Sequence, residues 1–246
     1  MKIFDSKLAL TMAQLSAAAY IDAETSLAQR LNTLGFELVK EIGADDKEGG
    51  YICKCKDYAV LVFRGTHNKY EAILDLKVWH THDDHVGYAE GFYAAYHKLL
   101  PQFVEFVDTA QIPVYITGHS LGGAISLITA LCLQPYSYAA CYTFGAPRVC
   151  SISGEKKDDG KAIFRVIHED DIVPSMPLII MGYWPFLGQM IYLTGKGITQ
   201  GWQAYSMRIL GQAWPIIQTS VFGLMSYIKN HFIDNYIEDL KKSNKV

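Results

Sequence analysis

Charge is scarce in this chain and nearly cancels. Asp, Glu, Lys and Arg make up 19% of the 246 residues and leave a net charge of −3. A nucleic-acid partner calls for a clustered basic face, and none is visible. Cysteine is sparse too: five residues, an odd number, scattered at positions 53, 55, 132, 141 and 150. That argues against a disulfide framework. Cys53 and Cys55 lie two apart on a strand-like run and face one side. No second Cys or His pair stands at ligand spacing to them, so no metal site is read there. Reduced thiols in strand and core fit a reducing compartment. No repeat, low-complexity tract or Pro/Gly/Ser linker divides the chain, and its length fits one domain, 1–246. A secretory leader is also lacking by pattern. Leu8 to Tyr20 is apolar, but Asp5 and Lys7 precede it and no small-x-small cleavage site follows. Leu8, Met12, Leu15 and Ala19 recur at helical spacing, so a first core helix is expected. The default expectation is a cytoplasmic protein, with leaderless export as the alternative.

What the chain does have is Val114-Tyr-Ile-Thr-Gly-His-Ser-Leu-Gly-Gly123, followed by the small and aliphatic run Ala124 to Leu133. An apolar strand breaks at a glycine, exposes Ser120 and enters a helix. This is the context that a G-x-S-x-G nucleophile elbow requires, because the serine must sit at a strained strand tip. Gly118 and Gly122 lack a Cβ and let strand and helix approach closely.

The rest of the chain alternates. Ser26 to Leu34 reads as a helix, and Phe36 to Ile42 and Tyr51 to Lys56 read as strands. Tyr58 to Phe63 is a continuous apolar run, as in a strand buried on both faces. It ends in Arg64-Gly65-Thr66. An acyl-transfer site needs donors aimed at the oxygen that becomes negative: one backbone N–H from the residue after the nucleophile, Leu121, and one from the loop after an earlier strand, where Thr66 fits. His67 to Leu76 has the pattern of a short helix. His80-Thr-His-Asp-Asp-His85 is dense in ligand types but reads as a solvated polar loop, since nothing frames these side chains for one ion. Glu90 to Ala110 is a long amphipathic helix carrying Pro101. Tyr138 to Phe144 and Ala162 to Ile167 are the next strands. Strands alternating with helices mean an α/β fold with a mostly parallel sheet and helices on both faces.

In such a fold the triad runs Ser, acid, His. His231 alone among the eight histidines lies beyond the last strand and its acids. Its task is to take the serine proton and return it to the leaving group. The acid belongs just past Ala162–Ile167, where Glu169, Asp170 and Asp171 are all candidates.

The motifs together resemble the class 3 (fungal-type) lipases, which have the α/β-hydrolase fold. The matching pieces are Phe63-Arg-Gly-Thr66, Gly118-His-Ser-Leu-Gly-Gly123, Phe144-Gly-Ala-Pro-Arg-Val149, Asp171-Ile-Val-Pro174, and His231 with a tyrosine-bearing helix after it. The resemblance implies Asp171 as the acid, Thr66 and Leu121 as the oxyanion pair, and a short lid within 67–76. Cys150 stands where the family usually has glycine. The implied activity is a serine hydrolase of lipid-like carboxylic esters such as acylglycerols, working through an acyl-serine without metal or organic cofactor. Alternatives on the same residues are a phospholipase A-type enzyme, a short-chain esterase, or a silent hydrolase fold that binds lipid. No protein partner is evident.

Between Asp171 and His231 the chain is greasy. Leu178 to Leu193 and Ile209 to Ile228 carry no charge. Gly, Pro185, Pro215 and several Gln, Ser and Thr interrupt them, which argues against membrane spans. The segment 178–228 is expected to form buried helices that line an acyl pocket. The second reading is a patch for peripheral contact with a lipid surface.

Overall fold

Five fully buried residues in a row, Ala59–Phe63, occupy the middle of the protein. The computed structural model describes residues 3–21, 26–43, 49–65, 80–83, 86–133, 137–151, 153, 161–169, 171–195, 197–200 and 229–245. In chain order the strands are β1 (Glu37–Ile42), β2 (Gly50–Lys54), β3 (Ala59–Phe63), β4 (His80–Asp83), β5 (Val86–Ala89), β6 (Val114–His119), β7 (Ala140–Phe144), β8 (Ile163–His168), β9 (Gln189–Thr194) and β10 (Gly197–Gln200). The helices are α1 (Ser6–Ala18), α2 (Leu27–Thr33), α3 (Glu90–Thr109), α4 (Leu121–Cys132) and α5 (Ile233–Ser243).

One eight-stranded sheet runs β1-β2-β3-β6-β7-β8-β9-β10. Its centre, from β3 through β6, β7 and β8 to β9, is parallel, and the flanking pairs are antiparallel. The period-2 alternation of a strand sends neighbouring residues to opposite faces. Leu61, Phe63, Ile116 and Cys141 pack under α3 and α4. Val60, Val62, Tyr142, Phe144 and Val166 pack under α1, α2 and α5. β3 therefore reads as an unbroken apolar run, as expected of a parallel-sheet strand covered on both sides.

Local signals start the helices. The Asp5 side chain accepts from the Lys7 and Leu8 N–H groups at 2.9 and 3.0 Å, and Ser26 Oγ accepts from Gln29 N–H at 3.2 Å. Each satisfies N–H groups that have no acceptor inside the helix. At the other end of α4, Lys161 Nζ donates to the carbonyls of Ala130, Leu131 and Leu133. No helix among the described residues is long and apolar enough to cross a membrane.

Two expectations are corrected. His80–Asp83 is a strand paired antiparallel with β5, not a loop. The apolar segment 178–228 was expected to be helical, but its described part is a 3-10 turn at Ile179–Met181 followed by β9 and β10. Gly182 and Gly188, at φ 87° and 68°, break the chain on both sides of the turn's exit. An uninterrupted apolar run has no period by which to tell a buried strand from a buried helix. Residues 201–228 lie outside the described residues.

Phe103 of α3 is fully buried, and its ring meets Phe63 of β3 edge-on at 5.4 Å. Phe103→Ala is expected to cost about 3–5 kcal/mol of stability, read from urea unfolding. A loss below about 1 kcal/mol would mean that α3 does not anchor this face.

Candidate active site

The strand register delivers the site. Phe63 pairs with Gly118, His119 pairs with Phe144, and Phe144 pairs with Val166. The carboxyl ends of β3, β6, β7 and β8 are therefore level, and the residues just beyond them share one crevice rim, where ligands bind in open α/β sheets. Ser120 N–H donates to the Phe144 carbonyl at 3.0 Å. Ser120 itself sits at φ 59° and ψ −124°, a conformation that costs a non-glycine residue about 1–3 kcal/mol. The turn tolerates it because strand and helix nearly touch. A Cβ on Gly118 would run into the Gly122 carbonyl, and one on Gly122 into the Phe63 carbonyl.

Around Ser120 the structure brings together residues far apart in sequence. His231 Nε2 is 2.8 Å from Ser120 Oγ, and His231 Nδ1 is 2.8 Å from Asp171 Oδ2. A carboxylate only accepts, so Nδ1 carries the proton and Nε2 presents a lone pair to the serine hydroxyl. Asp171 is fully buried and His231 is 2% exposed. The carboxylate takes three donors: His231 Nδ1–H and the Tyr236 hydroxyl on Oδ2, the latter at 2.5 Å, and the Val173 N–H on Oδ1 at 2.9 Å. Burial alone would raise the Asp171 carboxyl. The charge of His231 and hydrogen bonds from His231, Tyr236 and Val173 outweigh it and hold the carboxyl below its ordinary value of 3.8. Gly145, at φ 60°, passes so close that a Cβ there would lie 2.9 Å from both the Asp171 carboxylate and the His231 ring.

Leu121 opens α4, so its N–H has no acceptor within the helix and points with the positive end of the helix dipole. Thr66, Asp170 and residues 67–76 lie outside the described residues. Glu169, a candidate acid from sequence, instead accepts from Gly195 N–H at 3.2 Å.

Three residues of this network carry no role in the sequence reading. Tyr236 stands there only as the tyrosine of the helix after His231. His119 stands there only as a neighbour of Ser120. In the structure His119 Nε2–H donates to the His231 carbonyl at 2.7 Å, which leaves Nδ1 to accept the Tyr20 hydroxyl at 3.0 Å. Tyr20 also hydrogen-bonds the Gly65 backbone, and burial pushes its phenol far up. The loop after β3 is thereby tied through the half-buried Tyr20 and the buried His119 to the backbone of His231. The His-Ser dipeptide and the Tyr of the helix after His231 were the available signals, but which partner each meets is a long-range fact.

Comparison with known proteins points the same way. The family model described as Lipase (class 3) matches residues 60–181. A secreted mono- and diacylglycerol lipase 2 of Gibberella zeae is 28% identical over 131 residues, covering 47% of this chain and 32% of that protein. A secreted mono- and diacylglycerol lipase A of Penicillium cyclopium is 30% identical over 135 residues, covering 50% of this chain and 44% of that protein. The chain thus spans less than half the length of these relatives. Among solved structures, a mono- and diacylglycerol lipase from Aspergillus oryzae superposes with a TM-score of 0.75 at 19% identity, covering 94% of this chain and 96% of that one. That likeness carries the fold. The relatives also correct one expectation: they are named secreted proteins, which overturns the cytoplasmic placement drawn from the pattern of the N-terminal segment and from the odd, scattered cysteines.

The Tyr236 hydroxyl generates a signed prediction. A depressed carboxyl adds stability above its ordinary value and loses it as pH falls through the folded one. Tyr236→Phe removes one of the groups that depress Asp171. It is expected to cost about 1.5–3 kcal/mol at pH 7, with the gap to wild type narrowing below pH 3.8. Urea unfolding across pH measures it, and a gap that does not change with pH overturns this account.

Proposed function

The chain belongs to the class 3 lipase family, and from that premise we propose that it is a serine carboxylic ester hydrolase acting on acylglycerol-type esters. The observation that carries the reading is the hydrogen-bonded row Ser120–His231–Asp171. Ser120 Oγ attacks the ester carbonyl while His231 Nε2 takes its proton. The imidazolium so formed is stabilised by the buried Asp171 carboxylate. The oxygen that becomes negative is held by the Leu121 N–H, with Thr66 as the second donor. His231 then returns the proton to the departing alcohol, and water repeats the sequence to free the acid and regenerate Ser120. Tyr236 keeps Asp171 ionised and in place.

The relatives named mono- and diacylglycerol lipases favour acylglycerols as the substrate class, and their secretion favours an extracellular setting. A phospholipase A-type or short-chain esterase uses the same residues on a different ester. Leu178, Ile179 and Met181 are 37%, 49% and 42% exposed, just past the Asp171-Ile-Val-Pro174 loop. Such a projection of large apolar groups favours peripheral contact with a lipid surface. The chain acts as one domain over 1–246; the lid expected within 67–76 lies outside the described residues.

A fluorophosphonate probe is expected to label the wild type at Ser120 and to leave Ser120→Ala unlabelled. An unlabelled wild type would turn the reading toward a lipid-binding, non-catalytic fold. Hydrolysis rates on acylglycerols, phospholipids and p-nitrophenyl esters of graded length rank the substrate classes. Gly145→Ala is expected to lower kcat by roughly 10²-fold, because its methyl displaces His231 from Asp171. Undiminished kcat in a folded Gly145→Ala variant would show that the His231–Asp171 spacing does not limit the rate.

A further inference from the structure

Beside the triad, but outside it, three metal-ligating side chains converge. His168 ends β8, Glu169 follows it, and Asp239 lies on α5. One ligand-type atom from each lies within 4.8 Å of the other two, and no other trio of His, Cys, Asp or Glu among the described residues meets this geometry. His168 and Asp239 are 6% and 5% exposed, and Glu169 is half-buried.

The pairing inside this cluster is incomplete. His168 Nε2 stands 3.3 Å from Asp239 Oδ2, yet Asp239 Oδ2 and His168 Nδ1 both lack a hydrogen-bond partner among the described residues. A buried polar atom left unsatisfied has lost its water without gaining a replacement, which is unfavourable. The same chain shows what a closed His–Asp pair looks like: His231 and Asp171 meet at 2.8 Å, aligned. The other contacts fall on different atoms of these side chains. Lys242 Nζ takes the opposite oxygen of Asp239, Oδ1, at 3.1 Å, and is itself shared with Glu238 at 2.9 Å. Glu169 Oε1 accepts from Gly195 N–H, which leaves Oε2.

We propose that His168, Glu169 and Asp239 hold a divalent transition-metal ion, with Zn²⁺ the best match and water completing its shell. Zinc binds imidazole nitrogen and carboxylate oxygen at about 2.0–2.2 Å, so neighbouring ligands on a tetrahedral ion stand about 3.4 Å apart. The 3.3 Å between His168 Nε2 and Asp239 Oδ2 already spans such an edge. An imidazole ligand disfavours Mg²⁺ and Ca²⁺, which prefer oxygen throughout. Two carboxylates match the ion's charge, and the half-buried Glu169 gives it a way in. The ligands include no member of the triad, so the ion takes no part in acyl transfer. It clamps the end of the strand that leads to Asp171 onto the helix that follows His231.

The test uses the full chain, stripped with a chelator and titrated with Zn²⁺, Mg²⁺ or Ca²⁺ by calorimetry, with Tm recorded in parallel. The expected result is saturable Zn²⁺ binding that raises Tm, with Mg²⁺ and Ca²⁺ at least roughly tenfold weaker. Asp239→Asn and Glu169→Gln should each weaken Zn²⁺ at least roughly tenfold. If Asp239→Asn does not fold, Glu169→Gln, at a half-exposed carboxylate, decides alone. No saturable Zn²⁺ binding overturns the proposal. So does binding that neither substitution changes, which would put the ion elsewhere, such as at His231.

Discussion

A carboxylate with no solvent contact is the constraint that the site depends on. Isolated, the Asp171 charge would be far too costly to bury, and the group would neutralise. It stays ionised because three donors surround it, and those donors come from the segment that follows it and from the C-terminal helix region: Val173, His231 and Tyr236. Satisfying this one charge therefore fixes where α5 must dock. The same docking fixes the imidazole, because His231 and Tyr236 flank the start of α5 and reach one oxygen together.

The strained serine is the second constraint, and it is met from the sheet side. Its unfavourable backbone angles persist because β3, β6 and α4 pack so closely that nothing larger than glycine fits at Gly118 and Gly122. A rigid parallel sheet supplies that closeness, and its level carboxyl ends bring Ser120, Gly145 and the loop with Asp171 to one rim. His119 and Tyr20 join the two halves, running from the loop after β3 to the backbone of His231. Serine, imidazole and carboxylate are thus held by separate elements that have little freedom relative to each other. That is the preorganisation an acyl-transfer site needs.

Much of the fold was legible in the sequence. The two-face burial of Ala59–Phe63 wrote itself as an unbroken apolar run and that of Ile163–His168 as a mostly apolar run around Arg165, and α1, α3 and α4 as helical stripes or small-residue runs bounded by polar or glycine punctuation. The region after Asp171 was not legible in the same way. Gln189–Thr194 is as apolar as a buried helix, and only pairing with β8 makes it a strand. His80–Asp83 looked like a solvated loop for the opposite reason: its strand state comes from pairing with Val86–Ala89, which no propensity of His or Asp would announce.

By itself the sequence determined what depends on neighbours along the chain. The strand–glycine–serine–helix turn at 118–123, the helical spacing of Leu8, Met12, Leu15 and Ala19, the chain order that singles out His231, and the motifs shared with class 3 lipases are all of this kind. Only the tertiary structure decided which side chains meet: Tyr236 with Asp171, His119 with Tyr20 and the His231 carbonyl, His168 beside Asp239. Local patterns encode backbone state because propensity, capping and periodicity act over a few residues. A hydrogen bond between groups separated by 60 or 112 positions exists only after sheet register and helix docking have set their distance, and nothing local carries that information.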